Sequence, residues 1–479
     1  MAYDYLYGAD ESINIEVRVD GNVLNGGGFA SAWSSYNTGT DRSQSASPHV
    51  ETTGGVTAST VVGSGERYKI ALVNYTVSAA DVGNLVQISA SSDSGAYSPA
   101  LFMIHGVDTT ANTWTMNEEV RDSSLDSSVA TFTLRMGGAI PSVGLVGDWN
   151  SSSGDTPRFV SLIYVYQIWV KKGGSNYELT TDTDNRDGGP FVATGSQEGV
   201  NVIGYETTRG DGGRPVIDVA SSGVTDWVFE FGGSYKPTTI SNIEVDCAGT
   251  ANGIRQSSTV KATSVNCRVI GLGSGKTGWD NGVCIGCEAV GDGTRTGTGF
   301  TKGVFTTCVA TNCQYGFQDT TLGPQLCCAY DCTTGFHETS TGSYRSSSTL
   351  CVADGCDNGF YGHGIRASFS CVATNNTYGF NGVKYCSLFN CIGYNNTTHF
   401  NSDLITNVNW SVLAADPWEN QPEADYRLND AETGGQVLRN AGIQPIGQTA
   451  DADKNFFTTA KSGGGSTTVV TPGPVQIGM

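Results

Sequence analysis

Between residues 243 and 400 the chain alternates apolar and polar positions over very short stretches, broken by Gly and Asn. Eight cysteines mark the period: Cys247, Cys267, Cys287, Cys308, Cys328, Cys351, Cys371 and Cys391. Two positions before them stand Val245, Val265, Ile285, Thr306, Leu326, Thr349, Phe369 and Phe389, mostly apolar. One position before stand Asp246, Asn266, Gly286, Thr307, Cys327, Leu350, Ser370 and Asn390, mostly polar. A period of two predicts short strands, with each Cys and the residue two before it pointing inward. On this reading only Cys328 of the vicinal pair Cys327–Cys328 belongs to the inner stack.

Successive members of the series lie 20, 20, 21, 20, 23, 20 and 20 residues apart. Phe317, Phe336, Phe360, Phe380 and Phe400 follow in step, and Gly316, Gly335, Gly359 and Gly379 precede four of them. A third column holds Cys313, Cys332, Cys356, Asn376 and Asn396. A register held by three columns at this period predicts a solenoid, each repeat one coil stacked on the last. The leucine spacing of leucine-rich repeats is missing and no helical period separates the coils. The expected fold is all-β, a right-handed parallel β-helix with coils about 4.8 Å apart.

Upstream, RYKIALVNYTV, NLVQISA, ALFMIHGV, NTWTMNEEV and SVATFTLRM read as strands split by Gly, Asp and Ser. The expected organisation is an N-terminal attachment arm over 1–16, first strands and a small β-domain or insertion over 17–137, the parallel β-helix over 138–402, and a capping region with a tail over 403–479. A cap is needed because an open end would template edge-to-edge pairing.

The cysteines invite a metal or thiol reading, but Asn376 and Asn396 replace the second Cys, which a ligand role would not tolerate. Free Cys packing as a small hydrophobe accounts for them, and no metal or cofactor is expected. Asn376 and Asn396 suit a ladder of stacked amides. Val309, Val352, Val372 and Ile392, each following a Cys, form an apolar stripe. Either it is exposed and three solenoids bury it in a homotrimer, or a bend turns it inward.

For catalysis, adjacent coils could place two carboxyl groups at glycosidase spacing. Asp331 and Asp354 stand in register, and Asp319 and Glu338 are further candidates. With 46 Asp and Glu in the chain, some pairs stack by chance. None of the five His lies in a nucleophile or metal motif. TDTDNRDGG at 181–189 lacks the closing Glu of a calcium loop, and GDGGRP at 210–215 lacks the Lys-Ser/Thr ending of a phosphate loop, so both read as turns. Trp227, Trp279, Trp410, Trp418, Tyr315, Tyr361 and Tyr378 could line a sugar groove or simply fill the core and cap.

Composition narrows the function. Against 46 acids stand 26 Lys and Arg, a formal net charge of −20, which excludes a basic nucleic-acid face. No run is long and apolar enough for a membrane helix. The first residues lack a basic and an apolar secretory region, so the thiols are expected to be reduced.

DGNVLNGGGFASAW, ADVGNLVQIS, GYETTRGDGGRPVI and the close ADYRLND…GGQVLRNAG…PVQIGM resemble right-handed β-helix virion proteins of tailed bacteriophages. The resemblance touches both ends and the middle. It implies a spike, fibre or capsid decoration protein, attached to other virion proteins through its N-terminal region and able to contact host surface polysaccharide. The alternative it implies is a tailspike-type enzyme that depolymerises capsular polysaccharide or lipopolysaccharide. A secreted lyase is disfavoured by the absent leader and carboxylate cluster.

Overall fold

In a computed structural model the described residues are 12–30, 39–58, 69–91 (save 73), 100–117, 131–142, 158–159, 165–180, 191–194, 200–219, 224–232, 238–256, 262–339, 347–362, 367–382, 387–401, 408–420 (save 417) and 425–428. They are all-β, with parallel sheets and one 3-10 turn at Ala79–Asp81. Two compact units divide the chain: residues 1–222 with 229–242, and 223–228 with 243–479.

In the first unit Ser12–Val17 is a strand, although the sequence suggests an arm there. Ile13, Ile15 and Val17 are fully buried, and the strand pairs in parallel with Val165–Lys171. Val200–Tyr205 and then Thr238–Ser241 continue that parallel row. The glycines of DGNVLNGGGFASAW allow a close approach of two backbones. Gly26 and Gly27 donate to the carbonyls of Gly137 and Gly138, and a Cβ on Gly26 would lie 2.1 Å from the Leu85 oxygen.

The strands expected over 55–138 form a separate antiparallel structure. Leu85–Ser91, Thr131–Met136, Val50–Ala58, Lys69–Leu72, Thr113–Met116 and Ala100–Asp108 pair in that order, and the last pairs back onto the first. Closing the ring removes exposed strand edges. Alternate residues face inward as a period of two requires: Ile70 and Leu72, Val86 and Ile88, Phe102 and Ile104, Trp114 and Met116, Leu134 and Met136. Buried Asp81 is satisfied by Trp114 Nε1 (3.0 Å), Tyr75 Oη (2.7 Å) and the Ser78 amide (3.0 Å).

The second unit carries three rows of parallel strands. A leading row runs Ala262–Val265, Val283–Ile285, Val304–Thr306, then Ser347–Thr349, Ala367–Phe369 and Ser387–Tyr394, with Gln325 bridging Thr306 to Thr349. A cysteine row runs from Glu244–Asp246 through Arg268–Leu272, Glu288–Gly291, Val309–Thr311, Cys328–Tyr330 and Val352–Asp354 to Val372–Thr374. A phenylalanine row runs from Asn252–Gln256 to Thr398–Asn401. In every row a strand pairs with its equivalent one repeat later.

Left-handed residues mark the corners. Asn266, Thr307, Leu326, Leu350 and Ser370 have φ between 51° and 54° immediately before a ladder cysteine, and Gly286 has φ 62°. Thr and Leu pay a steric penalty there, so the tertiary pairing imposes the conformation.

The corner corrects one reading. The left-handed residue is Leu326, so Cys327, not Cys328, belongs to the ladder. Thiols of the ladder reach back to a carbonyl of the preceding coil: Cys287 to Ser264 (3.4 Å), Cys308 to Cys284 (3.4 Å), Cys327 to Phe305 (3.5 Å), Cys351 to Pro324 (3.2 Å), Cys371 to Ser348 (3.4 Å) and Cys391 to Ser368 (3.1 Å). Each acceptor stands three residues before the previous ladder cysteine, a rule that Cys327 obeys on both sides. Cys328 pairs instead with Val309 and Val352, in the apolar stripe.

A second column follows the same rule. Cys332 and Cys356 donate to Ala310 and Ala329 (3.7 Å each), while the amides of Asn376 and Asn396 donate to Ala353 (3.1 Å) and Ala373 (2.8 Å). Cys and Asn are interchangeable there because both can give a proton to the carbonyl beneath. Burial pushes the Cys308, Cys332, Cys356 and Cys371 thiols well up, which keeps them protonated for donation.

The phenylalanine column is longer than the sequence columns indicate. It begins at Trp279 and Phe300, and neighbouring rings stack at 4.7–5.3 Å with interplanar angles of 5–11°. The preceding glycines are a packing requirement. A Cβ on Gly335 would lie 2.7 Å from the Gly359 oxygen and 3.1 Å from the Ala329 Cβ.

Candidate functional site

Each of the four candidate acids is engaged by partners of its own. Asp331 and Asp354 are not in register: Asp354 pairs with Tyr330, since Cys327 and not Cys328 is the ladder cysteine, and the Asp331 amide donates to the Asp354 carbonyl at 2.9 Å. Their carboxylates have different partners. Asp331 pairs with Arg295, which also approaches Asp357 at 3.6 Å. Asp354 is fully buried and accepts from Thr374 Oγ1 (2.7 Å) and Asn375 Nδ2 (2.9 Å). Asp319 reaches the next coil, accepting from the Thr339 amide (2.7 Å) and hydroxyl. Buried Glu338 accepts from the Thr320 amide (3.1 Å) and hydroxyl (3.0 Å). These bonds fix corners and adjacent coils, so each acid has a local structural task.

The apolar stripe is not exposed. Val352, Val372 and Ile392 are buried, Val309 is half-buried, and they cluster with Cys328, Leu350, Leu413, Leu326, Tyr330 and Tyr394. The large side chains at the neighbouring corners cover it within one chain.

The GYETTRGDGGRPVI segment contains an ionic cluster that its glycine pattern does not announce. Asp211 accepts from the amides of Glu206, Thr207, Thr208 and Gly213 at 2.6–3.0 Å; these backbone bonds, Thr208 foremost, hold its carboxyl well below the usual range. The loop so shaped presents Arg209 to Glu16 (2.8 Å) and Asp41 (2.8 Å), with the guanidinium 5.6 Å from the Trp169 ring centroid. Glu16 is fully buried and also accepts from the Tyr205 hydroxyl. Burial raises its pKa against the lowering effects of Tyr205 and Arg209. The cluster ties the first strand to the loop. The TDTDNRDGG turn lies outside the described residues, and no group of three or more His, Cys, Asp or Glu suited to a metal occurs among the described ones.

One surface keeps the repeat's register without an internal partner for all its groups. Two columns flank the buried phenylalanines: Thr298, Tyr315, Thr334, Asn358, Tyr378, Thr398, and Thr301, Gln318, His337, Tyr361, Asn381, Asn401. Over these six coils neither contains Asp, Glu, Lys or Arg, although Asp280 pairs with Thr301 one coil earlier and Arg255 with Asp280 before that. The His337 ring lies between Tyr315 (4.4 Å, 10°) and Tyr361 (5.4 Å, 19°). Asn401 donates to Asn381 (2.9 Å), which donates to Asn358 (2.6 Å). Of the tryptophans weighed as sugar platforms, Trp279 is fully buried in the ring stack, Trp227 lies 5.9 Å beneath the Arg255 guanidinium, and Trp410 and Trp418 are in strands near the C-terminal end. Tyr315 and Tyr361 meet through His337, a partner that no repeat column predicts.

No known protein family matches the chain, and no curated protein does. Among solved structures, Geobacillus virus E2 ORF18 is similar at 10% identity and a TM-score of 0.26, over 69% of each chain. No helix among the described residues is long and apolar enough to cross a membrane.

Proposed function

We propose that the chain is a structural component of a bacteriophage virion: a right-handed parallel β-helix serving as spike, fibre or capsid decoration, and joined to other virion proteins through its N-terminal region. Contact with host surface glycans is the secondary part of this role. The observation that carries the reading is the continuous one-repeat register of three strand rows, taken with the segments that resemble phage β-helix proteins. One of those segments, around Arg209, fastens the first strand; another, around Gly26, permits close backbone packing. Such a scaffold suits exposure: each coil's backbone is bonded to both neighbours, leaving proteases little to grip. The four candidate acids are engaged in corner and inter-coil bonds, which favours a structural over a hydrolytic role.

Mass spectrometry of purified particles is the direct test. The chain should be present in stoichiometric amount, and its absence from the particle would remove the reading. Incubation with host polysaccharide separates the enzymatic alternative: chain shortening abolished by Asp331→Asn or Asp354→Asn would establish a depolymerase instead.

A further inference from the structure

We propose that the cleft formed by the 41–49 loop of the first unit is a binding site for a tetrahedral oxyanion, inorganic phosphate or the phosphate group of a small monoester, gripped by the Arg42 guanidinium. The proposal goes beyond the virion reading and does not depend on it.

The first argument is an unpaired cation in an acidic chain. Against 46 Asp and Glu stand 26 Lys and Arg, so a guanidinium has carboxylates to choose from. Arg18, Arg135, Arg209, Arg255, Arg268 and Arg295 are each ion-paired to at least one. Arg42 has no ion pair among the described residues, and its Nε is buried without a hydrogen-bond partner among them. Leaving a buried donor on a charged group unmade is costly, so the position calls for an acceptor. The two carboxylates of this region are already taken. Asp41 accepts from Arg209 Nη1 (2.8 Å) and from the Ser43 amide (2.9 Å) and hydroxyl (2.5 Å). Buried Asp81 is held by Trp114, Tyr75 and Ser78.

The second argument is that the cleft is built. It measures about 310 Å³ and is lined by Arg42, Gln44, Ser45, Ser47 and His49, beside Asp41. That is the low end of the range for small-molecule sites and leaves room for an anion with a small organic group. Ser45 Oγ accepts from the Ser47 amide (3.3 Å), which leaves its own proton to give. The chain turns and bends through 43–47, so these donors are offered from more than one plane. Such an arrangement suits the oxygens of a phosphate better than the two coplanar oxygens of a carboxylate. The backbone is pinned beforehand. The Arg42 amide donates to Asn84 Oδ1 (2.9 Å), and the Gly138 amide to the Arg42 carbonyl (2.9 Å). The Ala139 amide donates to the Ser45 carbonyl (2.7 Å), and the His49 amide to the Met136 carbonyl (2.9 Å). Little ordering of the loop is then left to oppose binding.

The third argument is the second cleft base. His49 stands edge-on to Tyr75 at 6.1 Å. Desolvation, then the Arg42 charge, hold its pKa below the ordinary value, while Asp81 pulls the other way. The charged groups around it are therefore Arg42 and Asp41 on its own loop and Asp81 of the antiparallel ring. An anion in the cleft would offset the Arg42 charge and let His49 take a proton, so binding and protonation should reinforce each other.

The test is nuclear magnetic resonance of the full chain carrying ¹³C-labelled histidine. Sulfate stands in for phosphate because its charge is constant between about pH 5 and 8. The five His give five signals, and the one lost in His49→Gln is assigned by that loss. Sulfate should shift the His49 signal saturably and raise its pKa. Arg42→Met should weaken binding more than tenfold, the equivalent of one hydrogen bond to a charged group, and should raise the His49 pKa of the anion-free chain. Lys302→Met, which removes an exposed cation of the second unit, should change neither. Acetate should bind more weakly than sulfate; equal or tighter binding overturns the tetrahedral assignment. Inorganic phosphate and phosphoserine, compared at one pH, should both shift the signal, and the tighter of the two names the source. Circular dichroism melting shows whether each variant keeps the fold. Should Arg42→Met unfold, Arg42→Lys carries the test, since it keeps the charge, loses Nε and should weaken binding roughly fivefold. The absence of a saturable shift overturns the proposal. So does a shift that persists in Arg42→Met, or one that chloride reproduces at matched ionic strength.

Discussion

Phe360→Ala tests the ring column at its centre. Phe360 is fully buried and contacts Phe336 at 4.7 Å and Phe380 at 4.8 Å, both nearly face to face. Truncating a buried Phe to Ala costs about 3–5 kcal/mol, because the removed atoms leave a cavity that rigid neighbours cannot fill. Phe360→Leu keeps most of the apolar volume but deletes two ring–ring contacts, each worth about 0.5–1.5 kcal/mol beyond area, so it should cost about 1–3 kcal/mol. In a stack where each repeat touches only its neighbours, the damage should localise and split the unfolding transition instead of lowering it uniformly. Equilibrium guanidinium denaturation followed by far-UV circular dichroism measures both effects. A loss under about 1 kcal/mol for Phe360→Ala would refute the reasoning, and a Leu variant equal to wild type would show that the stacked geometry adds nothing to burial.

Arg209→Met should destabilise the first unit by about 3–5 kcal/mol at pH 7, since it leaves the buried Glu16 carboxyl without its cation. Glu16 has a folded pKa above its ordinary 4.5, so its favourable contribution is complete below that value and fades as pH rises through the folded one; urea melts across this window should show a slope that Glu16→Gln flattens. Asn376→Ala strands the Cys356 amide that bonds to Oδ1 at 2.8 Å and should cost about 1–3 kcal/mol, with Asn376→Cys costing less because it restores the donor to Ala353. Thiol titration should find 14 reactive groups after denaturation and very few before, the 13 described cysteines being free and buried.

The repeat was legible because period and side-chain type together encode a column: Phe317 to Phe400 and most of the cysteines stand where alternation puts them. The Cys327–Cys328 choice was not, because two adjacent cysteines fit equally well and only the left-handed Leu326 decides between them. Polar residues before each cysteine look like an outward strand position, yet several are corner residues, a distinction made by backbone angle and not by hydropathy. Gly299-Phe300 carried the column's own signature and could have been read; Trp279 could not, since an indole breaks the pattern while filling the same space. The acids misled through the same cysteine choice. The repeat sets Asp331 against Asp354 only if Cys328 is the ladder cysteine; Asp354 pairs with Tyr330, and Arg295, Thr374 and Asn375 claim the two carboxylates.

Left-handed residues mark all three corners, Asn281, Lys302 and Asp319 at the third, but donor columns stand at only two, and the third differs most in length from coil to coil. Only two residues join the phenylalanine row to the leading row between Asp280 and Val283, whereas eight lie between Glu338 and Ser347. Variation in chain length is therefore absorbed mostly at that edge, and less between the cysteine and phenylalanine rows, where six residues follow Gly291 but three follow Thr311. That edge is where a foreign peptide could be grafted for multivalent display, at the cost of a longer loop and not of a lost rung.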